Sequence, residues 1–227
     1  MITRSVDERL VGSVLPAGAH ACESFTDILD EPLFPEEEAS IAKAVDKRRR
    51  EFRTVRACAR RALAELGTPR PPMVPGKRGA PSWPAGIVGS MTHCAGYRAA
   101  VVAPVTALAS VGMDAEPDAP LPDGVLETIS LPGERDRLAV LEREDPAISW
   151  GRLLFSAKES VYKAWFPLTG RWLGFEEAEV TIDRPSGRFV ADLLAEPPVV
   201  GGIPIARFHG SWTAGKGLVL TMIGIPR

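Results

Sequence analysis

The sequence predicts an α+β fold in two halves of roughly similar size. Each half has one long stretch with helical spacing, apolar strand-like runs surround both stretches, and glycine or proline marks the boundaries. In the first half, Pro35 followed by Glu36, Glu37 and Glu38 marks a helix start, with proline in the first turn and acids at the positive end of the dipole. The helical pattern continues to Leu66, where Gly67 and Pro69 stop it. Phe52, Val55, Cys58, Ala59, Ala62, Leu63 and Leu66 form its core face, and Arg49, Arg53, Arg56 and Arg60 stack into a positive ridge. By itself such a ridge reads as a solvated helix flank. Pro75 to Pro84 is too rich in glycine and proline for regular structure and predicts a structured loop. Within it, Gly76, Lys77 and Arg78 would let backbone amides and cations approach an anionic ligand, although an ordinary basic surface turn has the same composition. GIVGSMTH is expected to be a strand ending at Ser90, Thr92 and His93, with Gly96 opening the next turn.

The second half repeats the theme. RAAVVAPV and ALASVGMDAE read as neighbouring strands, and Trp150, Leu154, Ala157, Val161 and Trp165 share one face of a packed helix. EAEVTID, GRFVADLL, IARFHGSWTA and GLVLTMIGI follow as strands separated by turn residues.

Composition narrows the function. With 227 residues and 45% apolar content the chain can build a full core, as one large domain or two small ones. A net charge of −2 argues against bulk nucleic-acid binding, and no apolar run approaches the ~20 residues of a membrane helix. LVGSVLPAGAHA has a faint look of a signal sequence, but Asp7 and Glu8 precede it and Pro16 interrupts it, so it reads as mature structure. Cys22, Cys58 and Cys94 are odd in number and widely spaced, which suits reduced thiols in a cytoplasm.

Two segments carry the chemistry. In VGMDAEP, Val111 to Pro117, strand alternation sends Asp114 and Glu116 out of the same face, and Pro117 ends the ladder. In FSAKESVYKAW, Phe155 to Trp165, helical spacing puts Glu159 and Lys163 on one side. Asp114, Glu116 and Glu159 without converging histidines suit a hard cation such as Mg2+, completed by phosphate oxygens that Lys158 and Lys163 would help to neutralise. Each segment alone is ordinary: Asp-x-Glu commonly punctuates a strand end, and a Lys-Glu helix face is worth about 0.3–0.5 kcal/mol as an exposed ion pair.

Together, in this order and at this separation, the two segments resemble the paired signatures of the Sfp-type 4'-phosphopantetheinyl transferases. These are (Val/Ile)-Gly-(Val/Ile)-Asp-x-Glu and Phe-(Ser/Ala)-x-Lys-Glu-(Ser/Ala)-x-x-Lys, with Met113 as the only departure here. The likeness covers nearly the whole chain and is nearest to the longer bacterial members of the PptT and EntD kind. It implies two α/β subdomains related by a pseudo-twofold axis, residues 1–108 and 109–227, with the junction near Thr106 to Ala109 and coenzyme A between them. It further implies that Arg48 and Arg56, from KRRREFRTVRACAR, reach coenzyme A phosphates, and that His93 does so from a Ser-x-(Ser/Thr)-His unit that includes Thr92. Gly79 to Pro84 matches the Gly-x-Pro-x-Trp-Pro preceding that unit, while Pro75 stands where a basic residue is expected.

The implied reaction transfers 4'-phosphopantetheine from coenzyme A to a serine of apo acyl, peptidyl or aryl carrier proteins, releasing adenosine 3',5'-bisphosphate. Asp114, Glu116 and Glu159 would hold Mg2+, Lys163 would stabilise the transferring phosphate, and Glu159 is the first candidate for general base, with a water or Lys163 as alternatives. The carriers could serve fatty-acid, polyketide, nonribosomal-peptide or siderophore synthesis. One chain with both halves is expected to act as a monomer. Two other readings stay open: a Mg2+-dependent nucleotide phosphotransferase or hydrolase, against which the absence of phosphate-binding glycine loops speaks, and a non-catalytic carrier-protein adaptor, which has no use for a metal trio.

Overall fold

The computed structural model describes residues 10–227; the first nine residues, with Asp7, Glu8 and the start of the 1–108 half, lie outside the described residues. A 3-10 turn at Val11–Val14 buries both valines and leads into strand β1, His20–Ser24. The continuous helix expected from Pro35 to Leu66 is two: α1, Pro35–Ser40, and α2, Asp46–Glu65. The break has a tertiary cause. Glu37 is fully buried and Ile41 nearly so, and the chain turns there to lay the α1 acids against the arginines of α2.

Strands β2, Ile87–Cys94, and β3, Tyr97–Pro104, form a hairpin whose turn needs Gly96 at φ 75°. Together with β1 they make an antiparallel sheet in the order β1-β3-β2. Strand β3 is buried on both faces. Ala100 and Val102 pack against Ala57, Cys58, Ala62 and Leu63 of α2, while Tyr97, Ala99, Val101 and Ala103 point the other way.

The rest of the chain comprises β4, Leu108–Pro117; α3, Val125–Ile129; α4, Pro132–Glu144; α5, Trp150–Thr169; β5, Ala178–Asp183; β6, Arg188–Leu193; a small hairpin of β7, Val199–Val200, and β8, Ile203–Pro204; β9, Arg207–Gly215; and β10, Leu218–Pro226. A second antiparallel sheet runs β4-β10-β9-β6-β5. Val111, Met113 and Ala115 of β4, with Leu218, Leu220 and Met222 of β10, meet the far face of β3, so the two sheets share one core. Helix α5 covers the other side, burying Trp150, Leu154, Ala157, Val161 and Trp165 as their spacing predicts. The architecture is α+β, helix, sheet, sheet and helix in succession.

Strands β3 and β4, expected as neighbours, do not pair. Strand β4 presents its free edge to β2, and side chains complete it: the Met113 amide donates to Ser90 Oγ at 3.0 Å and the Ala115 amide to Thr92 Oγ1 at 3.1 Å. On its other edge β4 pairs with β10. Helices α3 and α4 had no counterpart in the sequence reading, although Pro132 and Glu134, whose carboxylate accepts from the Leu131 amide at 2.7 Å, carry an N-terminal signature. Among the described residues, no helix is long and apolar enough to cross a membrane.

Candidate active site

A close approach of α5 to β4 builds the site. A Cβ on Gly112 would lie 2.0 Å from the Ser160 carbonyl oxygen and 2.6 Å from the Ala164 nitrogen, so only glycine lets the helix backbone come this near. Ser110 Oγ donates to the Ala164 carbonyl at 2.7 Å, and the Ser156 and Ser160 hydroxyls meet Thr221 Oγ1 of β10 at 2.9 and 2.7 Å. These contacts fix the rotation of α5 and turn Glu159 and Lys163 toward Asp114.

Asp114 is buried, and its Oδ1 accepts from Lys163 Nζ at 2.7 Å and from Thr92 Oγ1 at 3.2 Å. Its Oδ2 is buried without a partner among the described residues, an acceptor that a hard cation would satisfy. Arg152 Nη1 holds Glu116 at 3.3 Å. Burial raises the Glu116 pKa, with Asp114 and Glu159 adding to the effect and Arg152 and Lys163 opposing it. Burial also raises that of Glu159, against Lys163 and with Asp114. The three carboxylates therefore feel one another. Among the described residues they do not form a ready-made coordination shell, and Lys163 takes up one oxygen of Asp114.

Beside them lies a cleft of about 490 Å3. Arg48, Arg56, Arg78, His93, Glu159 and Lys163 all reach it, and Phe52, Trp83, Met91, Tyr162 and Phe166 give it apolar walls. A larger depression of about 620 Å3, over Pro120 to Glu127 and Pro146 to Arg152, touches none of these charged groups except through Arg152 on Glu116.

The arginine ridge is tied down. Glu38 pairs with Arg49 and Arg53 at 3.6 and 3.3 Å, and Glu37 lies between Arg56 and Arg60 while also accepting from the Met73 amide at 2.7 Å. Arg56 donates to the Met73 carbonyl at 2.8 Å, with its guanidinium over the Phe52 ring. Burial lowers its pKa and Glu37 opposes that; a guanidinium remains charged at neutral pH. Arg48 is exposed at the cleft mouth, with Nη1 on His93 Nε2. His93 leaves 38% of its side chain open to solvent, yet enough of the ring is enclosed for burial to lower its pKa, with Arg48 the next cause.

Other expected residues sit differently. Lys158 is buried on the flank of α5 facing α4, paired with Glu134 at 2.8 Å and donating to the Phe175 carbonyl at 2.7 Å. It lines a separate cavity of about 250 Å3 with Glu159, Tyr162 and Trp172. The Gly76 amide is spent within its own turn on Ala80 at 2.7 Å, and Lys77 points to solvent outside the cleft lining. Thr92 is committed to Asp114 and Ala115, joining the two sheets. Arg78 adopts φ 55° and stacks over Trp172 at 5.0 Å, so a strained loop of the first half touches the second across the cleft. The sequence reading missed the acids that hold the cations (Glu37, Glu51 and Glu134), Arg152 on Glu116, and the aromatic wall. Tyr162 and Phe166 were legible in principle, three and seven residues beyond Glu159 on the same helix face.

Fold and site define an α+β protein of two packed sheets in which carboxylates, cations and aromatic rings gather around one cleft. The family description "4'-phosphopantetheinyl transferase N-terminal domain" matches residues 36–103, and "4'-phosphopantetheinyl transferase superfamily" matches residues 110–201. The chain is 56% identical to 4'-phosphopantetheinyl transferase Svp of Streptomyces mobaraensis, over 95% of this chain and 89% of that protein. It is 50% identical to 4'-phosphopantetheinyl transferase PptT of Mycobacterium tuberculosis, over 94% and 97%. Enterobactin synthase component D of Salmonella typhi is 34% identical over 60% of this chain and 55% of its own length. The chain belongs to the 4'-phosphopantetheinyl transferase superfamily and is a transferase of that type.

Proposed function

We propose that this chain transfers 4'-phosphopantetheine from coenzyme A to a serine hydroxyl of apo carrier proteins, with Mg2+, and releases adenosine 3',5'-bisphosphate. The observation that carries the reading is the meeting of Asp114 and Glu116 of β4 with Glu159 and Lys163 of α5, beside a cleft lined by three arginines and a histidine. Arg48, Arg56 and His93 grip phosphate oxygens of coenzyme A, and the apolar wall excludes water from the reacting pyrophosphate. Asp114, Glu116 and Glu159 would hold the metal, and the Oδ2 of Asp114, buried without a partner among the described residues, fits that role. When bound, Mg2+ neutralises charge developing on the phosphate oxygens. Lys163 moves from Asp114 to the transferring phosphate. Glu159, with its pKa raised, accepts the serine proton as the serine oxygen bonds to phosphorus and the bond to adenosine 3',5'-bisphosphate breaks.

We place the boundary between two pseudo-symmetric halves at residues 108/109. One sheet ends at Pro104, the other begins at Leu108, and the two family matches fall on either side. We further propose a monomer in a reducing cytoplasm, in keeping with an odd number of widely spaced cysteines that form no disulfide among the described residues. The name of the enterobactin relative favours siderophore carriers among the acceptors.

Intact-mass spectrometry of an apo carrier protein incubated with the chain, coenzyme A and Mg2+ tests the reading. A gain of one phosphopantetheine, lost with Glu159→Ala or with chelator, is expected. No gain across acyl, peptidyl and aryl carriers, with coenzyme A still bound, would turn the assignment toward an adaptor.

A further inference from the structure

At the cleft mouth, the contact between Arg48 Nη1 and His93 Nε2 fixes more than a distance. A guanidinium only donates, so Nε2 accepts and the neutral ring carries its proton on Nδ1. Nδ1 faces Glu51 Oε2 at 3.7 Å. Glu51 is 7% exposed, and its other oxygen lies 3.7 Å from Arg98 Nη2 and 4.0 Å from Lys47 Nζ. Arg98 is itself buried and held by Asp27 at 3.2 Å. A chain of alternating charge thus runs from Asp27 through Arg98 and Glu51 to His93 and ends at the cleft.

We propose that Glu51 is a positioning residue for coenzyme A binding: it holds His93 with Nε2 toward the cleft and stabilises the imidazolium that forms when a phosphate arrives. This rests on the coenzyme A reading above. In the free protein, burial lowers the His93 pKa most. Arg48 of α2, Lys163 of α5 and Arg98 of β3 push the same way, and Glu51 is the group that opposes them. A phosphate at the mouth draws Arg48 off Nε2 and adds negative charge. The ring then takes a proton from solvent at Nε2 and donates it to a phosphate oxygen, while Nδ1–H turns fully to Glu51. Without Glu51 the ring faces only cations and stays neutral, so binding loses one charged donor and its coupling to proton uptake.

The test compares the wild-type chain with Glu51→Gln, His93→Gln and the double variant. Calorimetry of coenzyme A binding in two buffers of different ionisation enthalpy counts the protons taken up, and KM and kcat are followed across about pH 5.5–8.5, the range of an imidazole. The wild type should take up a proton on binding near neutrality. Glu51→Gln should lose most of that uptake and raise KM for coenzyme A by about tenfold, the loss of one charge-assisted hydrogen bond, while the change spares kcat. In the His93→Gln background, Glu51→Gln should add nothing. Wild-type proton uptake in Glu51→Gln, or an equal KM change with and without His93, overturns the inference while leaving the coenzyme A reading intact. A wild-type chain that binds no coenzyme A overturns both.

Discussion

Asp114 carries two oxygens in unlike positions, one gripped by Lys163 and Thr92 and the other buried without a donor. Asp114→Asn should therefore raise the Mg2+ concentration needed for half-maximal transfer and lower kcat by about 10²–10³-fold, as for loss of one preorganised charge at a reacting phosphate. Glu159 makes a complementary case. Burial and Asp114 raise its pKa above the unfolded value, so its ionisation costs the fold stability: that stability is present at low pH and is lost as pH rises through the folded pKa. In chelator, Glu159→Gln is expected to raise Tm at neutral pH, with the gain fading on acidification, although transfer is abolished. A Tm unchanged at neutral pH would show that the carboxylate is not strained there. Glu37 is the opposite kind of residue, a fully buried acid between two buried arginines. Glu37→Ala would leave Arg56 and Arg60 uncompensated, at a cost of about 3–5 kcal/mol by chemical denaturation. Asp114 and Glu159 were legible because strand and helix periodicity fix which way a side chain leaves its element. Glu37 was not, since nothing in a run of three glutamates says which one turns inward.

The helix and strand that carry the candidate site are pressed together at Gly112, and that contact is where local pattern becomes the geometry of the site. Gly112→Ala has to push α5 off β4, because the groups its Cβ would meet are backbone atoms. It should lower stability by about 1–3 kcal/mol and reduce kcat, with carrier modification by mass as the readout. The strand at Val111 to Pro117 and the helix from Trp150 were readable because each has one apolar face and a clear period. The helix from Pro35 was read as too long for a related reason: its periodicity survives the turn at Ile41, and the break comes from ion pairs between residues far apart in sequence. Helices α3 and α4 have weak apolar faces, with only Ile129, Leu138 and Glu134 buried, so period carried little signal.

Across the whole molecule, two sheets back one core, and the groups proposed for catalysis lie where their edges meet. The sequence reads β3 and β4 as neighbouring strands; they do pack together, but in different sheets, and sequence alone does not say whether consecutive strands bond to each other or to partners elsewhere. Two hydroxyls of β2, instead of a ladder of carbonyls, complete the β4 edge. Thr92→Val would orphan the Ala115 amide and free Asp114 Oδ1 from one of its two donors. It should cost about 1–3 kcal/mol, measured by urea unfolding, and lower transfer more than coenzyme A binding. Side chains two apart in a strand reach the same edge only while the count between them is kept. A single inserted or deleted residue between Ser90 and Thr92 would swing one hydroxyl to the opposite face. This stretch of β2 should therefore accept substitutions between serine and threonine yet refuse any change of length, which makes it a fixed ruler against which the rest of the chain can drift.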